Sequence, residues 1–257
     1  MDELARQLEN VDYIFHIAAN SDVGKIIARP LLALENIVST FNCLEFSRKH
    51  LPNLKRFFYF NSGESFGPCT FKEDSKESDA FHCISPYSAS KGSGSLLALS
   101  YKRTYNVPVQ VLNFINVFGP HQPCNKLIPT VIKNIKEDRI SQLYGDQSLK
   151  ITSQRKWLHV EDLARFTDFL ITQDSFEIDS INVSFNEIIS HLDLVNTIGS
   201  IMNKQPKVQI VSTEFSRPGH EFKYSLDDTL CRSLGWIPNY SFIDRLKQTI
   251  DWYIERY

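Results

Sequence analysis

A tyrosine and a lysine stand four residues apart in the segment SPYSASK, residues 85–91. Pro86 can open a helix, and at this spacing the side chains of Tyr87 and Lys91 share one helical face. A nearby ammonium lowers the pKa of a phenol, which is otherwise near 10 and too high for a base at neutral pH. The pair is therefore a candidate proton-abstracting site, although an ordinary amphipathic helix can carry the same spacing on its surface.

Further polar residues follow the apolar runs that flank this segment. The run 56–60 leads directly into Ser62 and Glu64, and the run ending at Phe114 leads to Asn116. The ends of adjacent parallel strands meet at the ligand crevice of an open α/β sheet. A serine hydroxyl beside a tyrosinate can hold a substrate hydroxyl while the tyrosinate removes its proton. We expect hydride transfer to a nicotinamide ring as the partner reaction, because protein side chains cannot accept a hydride.

The elements that must position these residues alternate between strands and helices. We predict strands at 11–19, 56–60 and 107–114 and helices at 29–49 and 86–105, from apolar runs and helical spacing. This order predicts an α/β fold with a doubly wound parallel sheet. Ala18 and Ala19 end the first strand, where small side chains would let a ligand approach the backbone.

After Pro120 the alternation becomes irregular. Helices are predicted at 126–136, 161–172, 191–203 and 242–256, and strands at 142–144, 181–185 and 207–211. We expect residues 1–120 to form a partial dinucleotide-binding domain. Residues 121–257 are expected to form mainly a smaller substrate-binding lobe, with some segments returning to the main sheet.

Composition narrows the classes of partner and location. The net charge of −2 gives no indication of a polyanion, so we expect no nucleic-acid ligand. Five cysteines form no C-x-x-C motif and leave an odd one, which favours a reducing cytoplasm over disulfides or a zinc site. Neither a signal peptide nor a membrane-spanning apolar run is recognisable. We therefore expect a cytoplasmic protein without membrane or metal partners.

Nine motifs in a fixed order carry a family resemblance. They are HIAA (16–19), SGESFG (62–67), SPYSASK (85–91), FGPHQ (118–122), KLIP (126–129), YGD (144–146), RKWLHVED (155–162), RPGH (217–220) and LGW (234–236). With them the chain resembles the extended short-chain dehydrogenases/reductases of the NAD-dependent epimerase/dehydratase type, and among these the dTDP-glucose 4,6-dehydratases. The resemblance covers nearly the whole chain and implies a Rossmann-like fold.

The resemblance implies a reaction on the sugar of a nucleoside diphosphate. Tyr87, with Lys91 and Ser62, would take the C4 hydroxyl proton as hydride passes to NAD. Glu64 would then remove the C5 proton, the C6 hydroxyl would leave, and the hydride would return to C6. In the family an acid precedes the glutamate, whereas Gly63 stands at that position and cannot donate a proton. Water could substitute in a slower reaction, because a positioned acid typically contributes about 10²–10⁴-fold.

The resemblance also implies binding residues. Those for NAD are Ala18, Ala19, Tyr87, Lys91 and Asn116. Those for the nucleoside-diphosphate sugar are Ser62, Asn116, Lys126, Leu127, Tyr144, Arg155, Asn186, Arg217 and His220. Arginine suits a diphosphate because its planar fork binds oxyanions in bidentate fashion. Several of these candidates also have a purely structural interpretation. Asn116 can be an ordinary turn asparagine, an arginine on a loop is usually just solvated, and Tyr144 can be an aromatic residue of the core.

One expected part of the family pattern is absent from the sequence. The Gly-x-x-Gly-x-x-Gly turn, which would hold the cofactor pyrophosphate at a helix N-terminus, should precede residue 1. Residues 11–17 would then be an exposed apolar sheet edge. A fragment of a longer protein, a partner that covers this edge, and a defective product are the open interpretations. The resemblance further implies a homodimer, formed through two helices that include the one with Tyr87.

Three functional hypotheses follow. The first is an NAD-dependent nucleotide-sugar 4,6-dehydratase that forms a 4-keto-6-deoxy sugar from dTDP-glucose or a similar hexose. The second is a 4-epimerase or decarboxylase on the same scaffold, and Glu64 argues against the epimerase because epimerisation at C4 needs no base at C5. The third is a non-catalytic protein that binds a nucleotide sugar or a full-length subunit. The absent turn favours the third hypothesis, and Ser62, Tyr87 and Lys91 oppose it.

Overall fold

A computed structural model describes residues 7–8, 10–69, 74–173, 178–185, 187–212 and 219–256. The chain forms two compact units. The first consists of Met1–Gly67, Ser75–Phe114 and Phe176–Val183, and the second of Pro68–Asp74, Ile115–Ser175 and Ser184–Tyr257. The main division thus follows Phe114, whereas the sequence analysis placed it after residue 120.

The described residues contain strands and helices in the following order. The strands are β1 (Tyr13–His16), β2 (Arg56–Ser62), β3 (Val109–Phe114), β4 (Asn116–Phe118), β5 (Ile140–Gly145), β6 (Gln154–Arg155), β7 (Trp157–His159), β8 (Ser180–Val183), β9 (Ile189–Ser190) and β10 (Lys207–Ser212). The α-helices are α1 (Val23–Ala28), α2 (Leu31–His50), α3 (Pro86–Tyr105), α4 (Leu127–Lys136), α5 (Val160–Ile171), α6 (His191–Ile201), α7 (Thr229–Ser233) and α8 (Phe242–Ile254). A short 3₁₀ helix covers Gly63–Phe66.

The first unit is built on a four-stranded parallel sheet in the order β1-β2-β3-β8. All of β3 and most of β2 are buried, as expected for a parallel sheet, whose strands form continuous apolar runs. Helices α2 and α3 pack against each other, and α3 also packs on β2 and β3. The predicted α/β fold with a parallel sheet is confirmed.

The second unit has a separate hydrophobic core. Apolar side chains of α4, α6 and α8 surround buried residues such as Phe118, Leu143 and Trp157. Strands β5 and β10 form a parallel pair, as do β4 and β7, while β6 and β9 pair antiparallel. This unit contains the four helices that were predicted after residue 120, which are α4, α5, α6 and α8.

Several short elements differ from the sequence-based predictions. Strands β6, β7 and β9 and helices α1 and α7 were not predicted, because two to six residues carry too little periodicity to detect. Asn116 was expected at the end of the strand that includes Phe114, but it begins β4 instead.

Strand β1 lies at one end of the sheet order. Phe15 in this strand is 38% exposed and Ile17, just after it, is 58% exposed, so apolar side chains of the segment 11–17 are accessible among the described residues. Among the described helices, none combines the length and apolar character needed to cross a bilayer.

Candidate active site

Ser62 is the last residue of β2 and caps the 3₁₀ helix that follows. Its hydroxyl oxygen accepts a hydrogen bond from the Glu64 backbone N–H at 3.3 Å. Gly67 ends this helix with a φ of +78°, in the region that favours glycine. A Cβ at Gly67 would lie 2.3 Å from the His82 carbonyl oxygen, so the segment before α3 approaches closely only because this residue is glycine. The turn thereby places Glu64 two residues after Ser62, in the first turn of the 3₁₀ helix.

Helix α3 begins with the motif that carries the tyrosine and lysine. The Ser85 hydroxyl accepts from the Ser88 N–H and the Ser88 hydroxyl accepts from the Ser85 N–H, both at 3.1 Å. This reciprocal capping box, with Pro86 in the first turn, fixes where the helix starts. Tyr87 is half-buried and Lys91 is only 5% exposed. The predicted helix over 86–105 is confirmed.

The electrostatics of Tyr87 differ from the prediction. Burial raises the pKa of the Tyr87 phenol above its usual value, the negative charge of Glu64 raises it further, and a hydrogen bond from the Ser62 side chain lowers it. The expectation that Lys91 makes Tyr87 a readily ionised phenol is therefore wrong, because burial and the charge of Glu64 outweigh what lowers the pKa. The effects of Ser62 and Glu64 on this pKa nevertheless indicate that Ser62, Glu64 and Tyr87 lie near one another.

Lys91 lies over an aromatic ring of the central sheet. Its Nζ is 4.7 Å from the ring centroid of Tyr59, on β2. Burial lowers the pKa of Lys91 to about 8. The ammonium is therefore mostly protonated at neutral pH, but it can lose its proton much more easily than a lysine in water.

Three asparagines form a ladder across the sheet next to Ser62. Asn61, Asn113 and Asn182 stand in register on β2, β3 and β8, and each is at most 4% exposed. Asn61 Nδ2 donates to Asn113 Oδ1 at 2.8 Å, and Asn113 Nδ2 donates to Asn182 Oδ1 at 2.9 Å. The Ser65 hydroxyl donates to Asn61 Oδ1 at 3.0 Å and lies 3.3 Å from the Ser88 carbonyl oxygen. The ladder thus ties the strand end that bears Ser62 to the 3₁₀ helix and to α3.

A fourth buried asparagine links α2 to the segment after β1. Asn36 Nδ2 donates to the Ser90 hydroxyl at 3.0 Å, while Asn36 Oδ1 accepts from the Asn20 N–H at 2.7 Å. Ala18 and Ala19 precede Asn20 and are exposed at the carboxyl edge of the sheet. Sequence reasoning missed Asn36; a polar residue on the buried side of an apolar helix was the available signal.

In the second unit, Arg155 and Asn116 both contact Tyr224. The Arg155 guanidinium lies 4.5 Å from the centroid of the Tyr224 ring, and the Tyr224 hydroxyl donates to Asn116 Oδ1. Arg155 Nη1 donates to the carbonyls of Gln154 and Phe222, and its Nη2 donates to the carbonyl of Glu221. Arg155 is 6% exposed, so it holds the segment 221–224 in place through backbone contacts.

His220 lies beside two residues of the same unit. Its Nε2 is 2.7 Å from the Ser153 hydroxyl oxygen, and its ring centroid is 5.2 Å from that of Tyr144. Lys126 and Leu127 lie at the start of α4, where Leu127 packs on the hydrophobic core. The structure therefore gathers Asn116, Tyr144, Arg155 and His220 along the segments 153–155 and 220–224. Arg217 and Asn186 lie outside the described residues.

Comparisons with known proteins agree with this geometry. The family model described as GDP-mannose 4,6 dehydratase matches residues 2–249. A dTDP-glucose 4,6-dehydratase of Shigella flexneri is 32% identical over 95% of this chain and 72% of its own length. A probable dTDP-glucose 4,6-dehydratase of Sinorhizobium fredii is 31% identical, with the same two shares covered.

Solved structures give the same result. DesIV, a dTDP-glucose 4,6-dehydratase of Streptomyces venezuelae crystallised with NAD, superposes with a TM-score of 0.87 at 29% identity, over 99% of this chain and 76% of that one. A UDP-glucuronic acid 4-epimerase of Bacillus cereus has a TM-score of 0.89 at 23% identity, over 99% and 79%, and at that identity it shows the fold alone. The chain belongs to the GDP-mannose 4,6-dehydratase family and has the Rossmann-like fold of nucleotide-sugar dehydratases and epimerases.

Proposed function

We propose that the protein is an NAD-dependent nucleotide-sugar 4,6-dehydratase, which converts a nucleoside-diphosphate hexose into a 4-keto-6-deoxy sugar. One observation carries the proposal: Ser62 ends β2, Glu64 stands in the 3₁₀ helix that Ser62 caps, and both act on the pKa of Tyr87, one helical turn before Lys91. A hydroxyl, a phenol, a buried ammonium and a carboxylate at one sheet edge supply the groups for both oxidation at C4 and proton removal at C5. The dehydratase relatives and DesIV support the same reaction.

The residues at this edge fit the nicotinamide half of NAD. Ala18 and Ala19 are small and exposed at the end of β1, so a flat ring can approach the backbone there. Tyr87 and Lys91 offer a phenol and an ammonium to ribose hydroxyls. Asn116 is assigned to NAD by its family position alone. When bound, NAD supplies the hydride acceptor and, in its oxidised form, a positive charge.

Each side chain then has a defined task. Ser62 donates a hydrogen bond to the Tyr87 oxygen, which favours the tyrosinate and opposes the effect of burial. Tyr87 takes the proton of the C4 hydroxyl, and the positive charge of Lys91 stabilises the anion. Glu64 removes the C5 proton once C4 carries a carbonyl. Gly63 offers no acid for the departing C6 hydroxyl, so the proton with which it leaves as water comes from solvent or from Glu64. The hydride removed from C4 would be returned to C6, and a proton to C5, to complete the 4-keto-6-deoxy product.

The second unit supplies candidates for the nucleotide part of the substrate. We assign Tyr144, His220 and Asn116 to direct contacts, together with Lys126, Leu127, Arg217 and Asn186 by their family positions. Arg155 is assigned to the same group, and its two terminal nitrogens already donate to backbone carbonyls. Its role in substrate binding therefore includes holding the segment that contains His220 and Tyr224.

Epimerisation at C4 is the second candidate function. The epimerase neighbours favour it at the level of the fold. Glu64 favours dehydration, because it places a carboxylate beside Tyr87 that epimerisation does not need.

A homodimer is the proposed assembly. Helices α2 and α3 pack together and leave apolar side chains exposed, among them Leu34, Val38 and Phe41 on α2 and Leu96 on α3. The spacing of 34, 38 and 41 aligns three of them along one stripe of α2, which suits burial against a second copy. The proposed location is the cytoplasm, where the five free cysteines would remain reduced.

The test is product formation from dTDP-glucose, UDP-glucose and GDP-mannose with added NAD. Binding of NAD is measured first by calorimetry, and the 4-keto-6-deoxy product is followed by its absorbance in alkali and by mass spectrometry. We expect product from at least one sugar, and Tyr87→Phe should lower its rate by about 10²–10⁴-fold while nucleotide binding persists. Absence of NAD binding, NAD binding without any 4-keto product, or unchanged activity of Tyr87→Phe would contradict the proposal.

A further inference from the structure

Tyr59 contacts Lys91 in two independent ways. The Tyr59 hydroxyl donates a hydrogen bond of 2.9 Å to the Lys91 backbone carbonyl, and the Lys91 ammonium lies 4.7 Å from the centroid of the Tyr59 ring. Tyr59 is 1% exposed, on the central strand β2 and three residues before Ser62. One buried side chain therefore touches both the backbone and the charged end of the candidate catalytic lysine.

The helix is shaped to admit this tyrosine. A Cβ added at Gly94, one turn after Lys91, would lie 2.1 Å from the Tyr59 hydroxyl oxygen. Only glycine at this position leaves room for the hydroxyl beneath α3. The close approach of the Tyr59 ring to α3 thus depends on the tyrosine on β2 and on the glycine at position 94.

The ring is the principal described partner of the ammonium charge. The ion pairs of the described residues include no carboxylate within 4.0 Å of Lys91 Nζ. A desolvated ammonium over an aromatic face is stabilised by the ring quadrupole, more strongly than the same contact in water. Without such a contact, a lysine that is 5% exposed loses its charge readily.

We propose that Tyr59 is a positioning residue for Lys91, whose ring face keeps the ammonium charged beside Tyr87 and whose hydroxyl holds the ring against α3. The catalytic consequence rests on the proposed function, whereas the effect on the charge of Lys91 does not. The ligand of this ring face is the lysine itself, so Tyr59 needs no contact with substrate or cofactor.

Lys91 is the group that titrates in this neighbourhood near pH 8. The titratable groups around it are His16 on β1, Tyr59 on β2, and Tyr87 on its own helix with Glu64 beside it. Burial lowers the pKa of His16 to about 4, and burial raises the pKa of both tyrosines. From α2 the nearby polar group is Thr40, which bonds His16 and has no charge.

The experiment follows the Lys91 side chain directly. The protein is labelled with ¹³Cε-lysine, the Lys91 resonance is assigned by its loss in Lys91→Met, and the pH is varied from 6 to 10.5. We expect Tyr59→Leu to lower the pKa of Lys91 by about one unit, because it removes the ring, and Tyr59→Phe to change it by less than about 0.3 units. Phe57→Leu is the matched control, since it removes a buried ring from the same face of β2 and should leave the titration unchanged.

Two results would overturn the proposal. One is a Tyr59→Leu titration equal to that of the wild type, and the other is an equal shift in Tyr59→Leu and Phe57→Leu. Should Tyr59→Leu fail to fold, fluorinated phenylalanines at position 59 keep the ring shape while weakening its negative face. The pKa of Lys91 must then fall stepwise with fluorine number, and a constant value would contradict the role of the ring.

The pH–rate profile separates this proposal from the proposed function. If Lys91 acts in turnover, the alkaline limb of kcat should move to lower pH in Tyr59→Leu by the same amount as the resonance. A shifted resonance with an unmoved limb would support Tyr59 as the partner of Lys91 and contradict the catalytic role of the lysine.

Discussion

Lys91 in the first unit and Arg245 in the second are both buried over a tyrosine ring, but the charges of the two side chains have different partners. In the first unit, Lys91 is 5% exposed and lies 4.7 Å from the Tyr59 centroid. In the second, Arg245 is 4% exposed and lies 4.3 Å from the Tyr240 centroid. The difference is in the carboxylates: Arg245 donates to Asp162 at 2.9 and 3.1 Å and also to Glu161.

The carboxylates reverse the direction of the pKa shift. Burial alone would lower the pKa of Arg245, but hydrogen bonds and charge from Asp162 and Glu161 outweigh it and leave the pKa raised. Burial lowers the pKa of Lys91 to about 8 because nothing of equal strength opposes it. Compensated buried charges hold a fold together, whereas uncompensated ones with shifted pKa values mark reactive sites. The comparison therefore favours a structural role for Arg245 and agrees with the catalytic role proposed for Lys91.

Replacing Arg245, whose charge is compensated by carboxylates, should have the largest effect on stability. Arg245→Met leaves the Asp162 carboxylate, 3% exposed, without its partner. We expect the free energy of unfolding of this unit, measured in urea, to fall by about 3–5 kcal/mol. The double variant with Asp162→Leu should recover most of that loss, since it removes the stranded charge. A loss below about 1 kcal/mol in the single variant would contradict the structural role of this ion pair.

Removing the uncompensated cation should act in the opposite direction on stability. Lys91→Met replaces a buried ammonium by an apolar side chain of similar length, so unfolding at pH 7 should cost on the order of 1–3 kcal/mol more. The rate of 4-keto sugar formation should fall by about 10²–10⁴-fold. If Lys91→Met destabilised the protein as much as Arg245→Met does, the contrast between the two cations would be lost.

The gain in stability expected from Lys91→Met should depend on pH. The pKa of Lys91 is about 8 in the folded state and near the ordinary lysine value of 10.5 in the unfolded chain. Between these values the unfolded state holds the proton and the folded state does not, so wild-type stability rises with pH across this window. The advantage of Lys91→Met should thus be constant below pH 8 and shrink above it, by on the order of 3 kcal/mol in full. Parallel stability curves for the two proteins from pH 7 to 9.5 would disprove this.

Lys55, a solvent-exposed cation, should have the smallest effect on stability of the three. Lys55 Nζ lies 3.2 Å from Asp12 Oδ1, with side chains 61% and 54% exposed. An exposed ion pair contributes little because solvent screens it, so Lys55→Met should change the free energy of unfolding by less than about 0.5 kcal/mol. The same urea titrations measure it, and a change above about 1.5 kcal/mol would mean that exposure does not separate these cations.

Local features of the fold could be predicted from the sequence. The helix that bears Tyr87 and Lys91, and the strand that ends at Ser62, follow from short-range signals: Pro86, helical spacing and a continuous apolar run. Because parallel strands end at one sheet edge, these two signals were sufficient to bring the serine and the tyrosine together.

Long-range contacts could not be predicted in the same way. The pairing of Asn61, Asn113 and Asn182 depends on strand register over more than 50 residues, and no local pattern encodes it. The contact of Tyr59 with Lys91 spans 32 positions and depends on the close approach at Gly94. The expectation for Tyr87 failed for a related reason, since spacing reveals the neighbouring lysine but not the burial that raises the phenol pKa.

The asparagine ladder has a property that the charged residues around it lack. Its donors and acceptors are amides and hydroxyls, none of which gains or loses a proton between pH 4 and 10. The strand end that carries Ser62 is thus held by hydrogen bonds that do not change with pH in this range. A change of activity with pH should therefore reflect protonation of the side chains in this site rather than a rearrangement of the backbone that holds them.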